Sequence, residues 1–272
     1  MNIRHAGFSL IELIVVLLVS SVVVGFAATL ITVPAQAHIA QARRSELTAA
    51  AESVTQWMSR DVRRALPNSL RTGMVGGRAV VELIGFAAVE LYRDAGSEGD
   101  PLRIDPLLPP DDRFDVLGFP DAISSAVVVN NLGIPGQNAY EMANVIAGAS
   151  MATNSATITL TDPSFRFAAQ SPSRRVFLVS SASAVIRYEC DPVAGTLRRF
   201  DGLPVVGALG ALAAGTPSRL IAQDVIACTF TPLPSSATHG GLLLIQVTVS
   251  RVTNGAAESL RVVRQLKVEE PV

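Results

Sequence analysis

One long uncharged segment near the N-terminus constrains this chain more than any other feature. No charged residue occurs between Leu13 and Val33, and only serines and threonines interrupt the apolar sequence. At about 1.5 Å per residue, a helix over this segment covers roughly 30 Å, the thickness of the hydrocarbon core of a bilayer. The sequence therefore predicts a protein with one membrane-spanning helix, over residues 8–33.

The flanking charges predict the orientation of that helix. Arg4 and the terminal amine precede the apolar segment, and basic residues tend to stay on the cytoplasmic side. The N-terminus is therefore expected in the cytoplasm, with the remainder of the chain outside it.

A cleaved secretory signal is the alternative interpretation of the same segment. Ala35, Gln36 and Ala37 form an A-x-A cleavage pattern, which would leave a mature chain starting at His38. The apolar segment, however, exceeds the 7–15 residues typical of a signal peptide. A carboxylate, Glu12, also lies just inside it, where a charge is costly and usually functional. These two observations favour a retained anchor.

The composition argues against catalysis. Hydrophobic residues make up 49% and charged residues 17%, with two cysteines, three histidines and a net charge of -1. No nucleophile, phosphate-binding or dinucleotide motif is present. We therefore expect a protein that is not an enzyme and needs no cofactor.

The residues after the anchor predict an amphipathic helix over residues 34–67. Apolar residues repeat at helical spacing from Leu47 to Leu66. Pro34 is expected to break or bend the helix, but the pattern resumes after it. One long helix is therefore predicted, with a membrane-spanning first half and an amphipathic second half packed on the head, and Pro67 with Asn68 is expected to end it. The members of this stripe are Leu47, Ala51, Val54, Met58, Val62 and Leu66.

The remaining residues, 68–272, alternate between apolar and polar side chains and predict a β-rich head. Hairpin turns are expected at Asp191–Gly195 and Asn254–Gly255, and loops over 96–112 and 202–218. A helix followed by an antiparallel sheet is an α+β fold. The predicted strands are Ala79–Phe86, Val89–Tyr92, Ala126–Val129, Ala156–Leu160, Val176–Val179, Ala184–Cys190, Thr196–Phe200, Asp224–Thr231, Leu242–Val252 and Ser259–Val268.

Two clusters of charge are candidate binding sites. An acidic stretch offers oxygen ligands for Ca²⁺ but matches no known calcium loop, so a solvated acidic loop explains it equally well. It comprises Asp94, Glu98, Asp100, Asp105, Asp111, Asp112 and Asp115.

The second cluster is a series of arginines with Trp57 as the only aromatic along the helix, whereas nucleic-acid binding needs several aromatic platforms. No nucleic-acid partner is expected; a solvated face or docking to acidic neighbours explains it. The arginines are Arg43, Arg44, Arg60, Arg63, Arg64, Arg71 and Arg78.

The two cysteines occupy the apolar faces of their predicted strands. Cys190 shares a face with Ile186 and Tyr188, and Cys228 shares one with Ile226 and Phe230. In an oxidising compartment such residues pair, so a disulfide between Cys190 and Cys228 is predicted. Two separate buried thiols are the alternative.

The N-terminus resembles the type IV prepilin signal. The sequence Gly7-Phe8-Ser9-Leu10-Ile11-Glu12 precedes the long apolar segment, as in that family. The resemblance implies that a prepilin peptidase removes a leader, residues 1–7, and N-methylates Phe8. It further implies that Glu12 acts in assembly by neutralising the terminal amine of a neighbouring subunit.

The resemblance extends to the minor pilins of the mannose-sensitive haemagglutinin (MSHA) pilus. Residues 42–47 (ARRSEL) and 58–69 (MSRDVRRALPNS) carry it, with a weaker likeness over 188–228. It implies an inner-membrane subunit with a periplasmic head, whose partners are prepilin peptidase, other major and minor pilins, the inner-membrane assembly platform and, through residues 8–33, lipid. A type II secretion pseudopilin is an alternative in the same class. A membrane-anchored periplasmic binding protein that does not polymerise is the alternative from another class.

Overall fold

The chain divides into two units, residues 1–49 and residues 50–272. The computed structural model describes residues 9–268 apart from 97, 106, 111, 119–124, 143–144, 153–154, 181, 234–240 and 254–255.

The helix α1 runs from Leu10 to Arg63. It continues through Pro34, in agreement with the predicted long helix: one backbone donor is lost there, but the turns on either side stay helical. The expected end at Pro67 is too late. The N–H of Leu66 donates to the carbonyl of Ile84 (2.7 Å), so the chain has already left the helix to join a strand.

The second half of α1 confirms the apolar stripe from Ala51 onward. Ala51, Val54, Met58 and Val62 are all buried, at spacings of three and four residues.

The residues of the head that follow form short strands in antiparallel pairs. They are β1 Arg71–Val75, β2 Arg78–Ile84, β3 Ala88–Leu91, β4 Arg113–Asp115, β5 Ala126–Val129, β6 Ile146–Met151, β7 Thr157–Leu160, β8 Arg175–Val179, β9 Val185–Asp191, β10 Thr196–Leu203, β11 Arg219–Gln223, β12 Val225–Leu233, β13 Leu242–Thr253 and β14 Ala256–Lys267.

These strands form three sheets within the described residues. Their orders are β1-β2-β9-β10-β11, β12-β13-β14 and β3-β8-β5-β6-β7-β4. A long apolar helix followed by antiparallel sheets fits the predicted α+β class. Each predicted strand overlaps an observed one, whereas β1, β4, β6 and β11 were not predicted.

The strands β5 and β8 separate two hydrophobic cores. Ala126 and Val128 of β5 join a core with Ile84 and Phe200, while Val127 and Val129 join a core with Phe114. Both strands are buried on both faces, and this explains why each reads as a continuous apolar run rather than as an alternation.

The predicted turn at Asp191–Gly195 is confirmed. Asp191 pairs with Thr196 at the end of the β9–β10 hairpin, and Gly195 adopts a φ of 67°, which favours glycine. The predicted turn at Asn254–Gly255 lies outside the described residues, although Val252 pairs with Ala257 beside it. The described residues of 96–112 belong to no helix or strand, as expected.

Candidate functional site

Glu12 lies in the first turn of α1. Its backbone N–H donates to the carbonyl of Ser9 (3.0 Å), and Glu12 is the acidic residue of that turn. Its side chain is exposed, and the positive end of the helix dipole stabilises an anion there by up to about 1 kcal/mol. Gly7 and Phe8 lie outside the described residues, so cleavage between them and N-methylation of Phe8 stay predictions.

The apolar side chains that follow Glu12 are exposed as far as Ala27. Residues Leu10–Ala27 have a mean hydropathy of 2.7, and none of that segment is buried. By length and composition this part of α1 is able to cross a membrane. An exposed apolar segment of this length is typical of a surface that contacts a membrane or other proteins.

Cys190 of β9 and Cys228 of β12 form a disulfide in this structure. Their sulfur atoms are 2.02 Å apart and their positions are separated by 38 residues. The bond joins the five-stranded sheet to the three-stranded sheet. Ile226, expected on the same buried face as Cys228, is 52% exposed, because a bulge between Val225 and Ala227 shifts the register.

Carboxylates of the acidic stretch accept hydrogen bonds from nearby groups of the protein. Asp115 accepts hydrogen bonds from the backbone N–H of Asp100 (2.9 Å) and the hydroxyl of Thr157 (2.7 Å). These two bonds lower the pKa of Asp115. Arg103 pairs with Asp100, while Asp111 lies outside the described residues. Within the part of the chain described, no group of three His, Cys, Asp or Glu side chains is placed to hold a metal ion.

A buried network of charges lies in the five-stranded sheet. The Nε of Arg187 donates to Glu82 (2.5 Å), and its Nη1 donates to Glu189 (3.1 Å). Arg71 donates to the other oxygen of Glu82 (2.7 Å). Arg187 and Glu82 are each only 2% exposed, so the sheet holds compensated charges where a solvated polar face would be expected.

A loop over residues 204–218, here called the covering loop, explains that burial. Arg187 donates to the carbonyl of Gly210 (2.7 Å), and Arg71 donates to the carbonyls of Gly207 (2.7 Å) and Val206 (3.0 Å). Arg71 and Arg187 therefore bind the covering loop to the five-stranded sheet on which they lie. The sequence did not predict this network, because nothing local to β9 shows that a segment some twenty residues later covers it. The one sequence signal was the predicted loop over residues 202–218, which is long enough to do so.

A second buried polar group centres on Asp61, near the end of α1. Tyr188 of β9 donates to Asp61 (2.5 Å), as does the Nε of Arg199 from β10 (2.6 Å). Burial, and then the charge of Asp61, raises the pKa of Tyr188. Burial alone lowers the pKa of Arg199, but the hydrogen bond and charge of Asp61 outweigh it, so that pKa is raised. These groups satisfy one another and stabilise the fold.

The predicted arginine series is divided by the fold. Arg71 and Arg78 are not on the helix; they face Glu82, Glu189 and Asp191 on the sheet. Asp191 in turn has a lowered pKa, first because of the backbone N–H of Ala194 and then because of Arg78. The series therefore does not form one continuous basic stripe.

Comparison with known protein families gives a match over the N-terminal segment. Residues 2–28 match the family model of the prokaryotic N-terminal methylation motif. No curated protein matches the chain significantly. No solved structure does so either. The match supports a type IV pilin or pseudopilin subunit, a class of structural and usually non-enzymatic proteins, and implies processing by a prepilin peptidase and assembly with other pilins.

Proposed function

We propose that this chain is a minor pilin or pseudopilin, a non-enzymatic structural subunit of a type IV pilus. The observation that carries the proposal is the methylation motif over residues 2–28, which includes an apolar helical segment that is exposed from Leu10 to Ala27. Lipid covers that helix before assembly, and the helices of other subunits cover it in a fibre. The same apolar surface therefore contacts lipid before assembly and other subunits in the fibre.

The proposed organisation follows the processing site. Residues 1–7 are the leader, residues 8–33 cross the inner membrane, residues 34–67 lead to the head, and residues 68–272 form the periplasmic head. Packing of the helix on the head is supported by the bonds from Tyr188 and Arg199 to Asp61. The disulfide between Cys190 and Cys228 supports an oxidising compartment for the head.

Glu12 has the proposed role of a charge partner in assembly. Cleavage after Gly7 creates a cationic amine on Phe8, with an unperturbed pKa of about 7.7–8.0, and methylation keeps the charge. A carboxylate exposed among apolar side chains is costly in lipid. The amine of one subunit and Glu12 of the next neutralise each other, so assembly relieves the cost in both.

The fibre system proposed is an MSHA-like pilus. The resemblance of residues 42–47 and 58–69 to its minor pilins, MshO in particular, supports this assignment. The partners proposed are prepilin peptidase, the other pilins and the inner-membrane assembly platform. A type II secretion pseudopilin carries the same N-terminal signal and is the alternative.

Mass spectrometry of the native N-terminus tests the processing step. The mature chain should begin with N-methylated Phe8, whereas in cells without prepilin peptidase activity the chain should still carry residues 1–7. A mature chain that begins at His38 would show ordinary signal cleavage and contradict the proposal.

Fractionation of sheared fibres tests the assembly step. The processed chain should be recovered with the other pilins in the fibre fraction. Processed chain that remains wholly in the membrane fraction would instead indicate an anchored binding protein that does not polymerise.

A further inference from the structure

A basic cavity surrounds the tryptophan near the end of α1. Trp57 is half-buried, and three guanidinium groups lie near its ring: those of Arg219, Arg60 and Arg199, at 4.7, 5.1 and 5.6 Å from the ring centroid. We call this cavity, of about 400 Å³, the Trp57 pocket. It is lined by Trp57, Arg60, Asp61, Arg64, Gly85, Phe86, Ile186, Arg199, Asp201 and Arg219.

The charges of the Trp57 pocket do not cancel. Arg199 is paired with Asp61 and with Asp201, the two acidic residues of the lining. Arg60, Arg64 and Arg219 are exposed, and none of them forms an ion pair with a described residue. Two of these three are stacked near the indole. The pocket thus presents guanidinium groups that are unpaired among the described residues, beside the indole of Trp57.

The geometry points to a docking site for acidic side chains of a partner protein. A guanidinium presents paired N–H groups that match a carboxylate in a bidentate contact. Stacking on an indole restrains the arginine beforehand, so less conformational freedom is lost on binding. Tryptophan and arginine are also the residues most enriched in the energetic centres of protein interfaces.

A nucleic-acid backbone fits this pocket less well than an acidic protein segment. Binding of single strands needs a long basic groove and free aromatic faces on which bases stack. Here the single tryptophan already has three guanidiniums around it, and Asp201 at the rim is 65% exposed. That carboxylate repels phosphates and carboxylates alike, so the preference for an acidic protein segment rests on the guanidinium groups that already lie over the ring of Trp57, where a base would have to stack. The inference goes beyond the proposed function and does not rest on it.

Trp57 supplies its own probe, since it is the only tryptophan in the chain. Its fluorescence in the full, disulfide-intact chain in detergent micelles is titrated with a hexaglutamate peptide. We expect a saturable change that a hexaglutamine peptide does not produce. Arg60→Gln and Arg219→Gln should each weaken the binding about tenfold, the effect of losing one charge-assisted hydrogen bond.

Arg198→Gln is the matched control for these variants. Arg198 is an exposed arginine of the neighbouring β10 that does not line the Trp57 pocket, so its removal should leave the affinity unchanged. Circular dichroism of each variant verifies the fold, and Arg219→Lys, which keeps the charge without the guanidinium, should bind more weakly than the wild type.

Three outcomes would overturn the inference. The first is the absence of a saturable response to hexaglutamate. The second is wild-type affinity in both folded variants, Arg60→Gln and Arg219→Gln. The third is binding of an oligothymidylate or of inorganic phosphate at least as tight as that of hexaglutamate, which would assign the pocket to a phosphate-bearing ligand.

Discussion

Glu12 is the residue on which the proposed assembly depends most. It is an exposed carboxylate in the first turn of α1, directly before an uncharged apolar segment, so in lipid it would carry a cost that a purely static anchor would avoid. In the proposed assembly, that charge is used when the subunit leaves the membrane.

Replacement of Glu12 separates insertion from assembly. Glu12→Ala should insert as well as the wild type or better, and cleavage after Gly7 should continue, because that bond does not involve Glu12. Incorporation into fibres should fall by orders of magnitude, since an unpaired buried charge costs several kcal/mol. Quantification of processed chain in membrane and sheared-fibre fractions measures both steps.

Two further variants sharpen that test. Glu12→Gln keeps the side-chain size without the charge and should fail to assemble in the same way. Ser20→Ala changes a mild polar residue of the same segment and should assemble normally. Wild-type incorporation of Glu12→Ala would show that charge pairing is not the mechanism here.

At the level of elements, the covering loop depends on the charges beneath it. Glu82→Gln leaves Arg187, which is 2% exposed, without its closest acidic partner. Loss of one partner of a buried pair costs about 3–5 kcal/mol. Urea unfolding of the full chain in micelles, followed by circular dichroism, should show a reduction of that size.

Asp201→Asn provides the comparison for Glu82→Gln. Asp201 also pairs with an arginine but is 65% exposed, and surface ion pairs contribute about 0–1 kcal/mol. If the two variants lose the same free energy of unfolding, the buried network does not stabilise the loop and sheet as argued.

The link between β9 and β12 is a second prediction at this level. Non-reducing peptide mapping should recover one peptide pair that contains Cys190 and Cys228. Closure of a loop of 38 residues is expected to stabilise the fold by about 4 kcal/mol. Replacement of both cysteines by serine should therefore lower the free energy of unfolding by about that amount, whereas two freely alkylatable thiols in native protein would contradict the pairing.

For the whole molecule, the three tyrosines predict how the head responds to alkali. Tyr92, Tyr140 and Tyr188 are all buried, and burial raises the pKa of each of them. The unfolded chain loses these protons near pH 10, whereas the folded chain keeps them. Stability is therefore unaffected below about pH 10 and falls as the pH rises beyond it.

Ultraviolet absorbance of tyrosinate measures this difference. At pH 10 we expect less ionisation in the folded protein than in the chain in denaturant, and at higher pH the appearance of tyrosinate together with loss of the circular dichroism signal. The chain in denaturant should titrate near the unperturbed pKa of about 10. Ionisation at that pH in a protein that is still folded would show that the tyrosines are accessible.

Much of the fold was predictable where the signal is local. The apolar segment and the alternation over β13 gave clear patterns, and Ala126–Val129 was assigned with its observed bounds. The missed strands are short or contain glycine, such as β4 and β1. Their pairing depends on neighbours distant in sequence, which no local pattern shows.

The sequence by itself determined the anchor, the processing motif and the class of fold, because hydrophobic length and periodicity act within one segment. Only the tertiary structure decided which charges are buried. Arg187 lies on the polar side of β9 in the sequence, yet the covering loop encloses it. Similarly, Trp57 lies beside Arg199 and Arg219, which belong to strands more than a hundred residues away in sequence. Burial and charge pairing depend on which distant segments meet, and the folded chain alone specifies that.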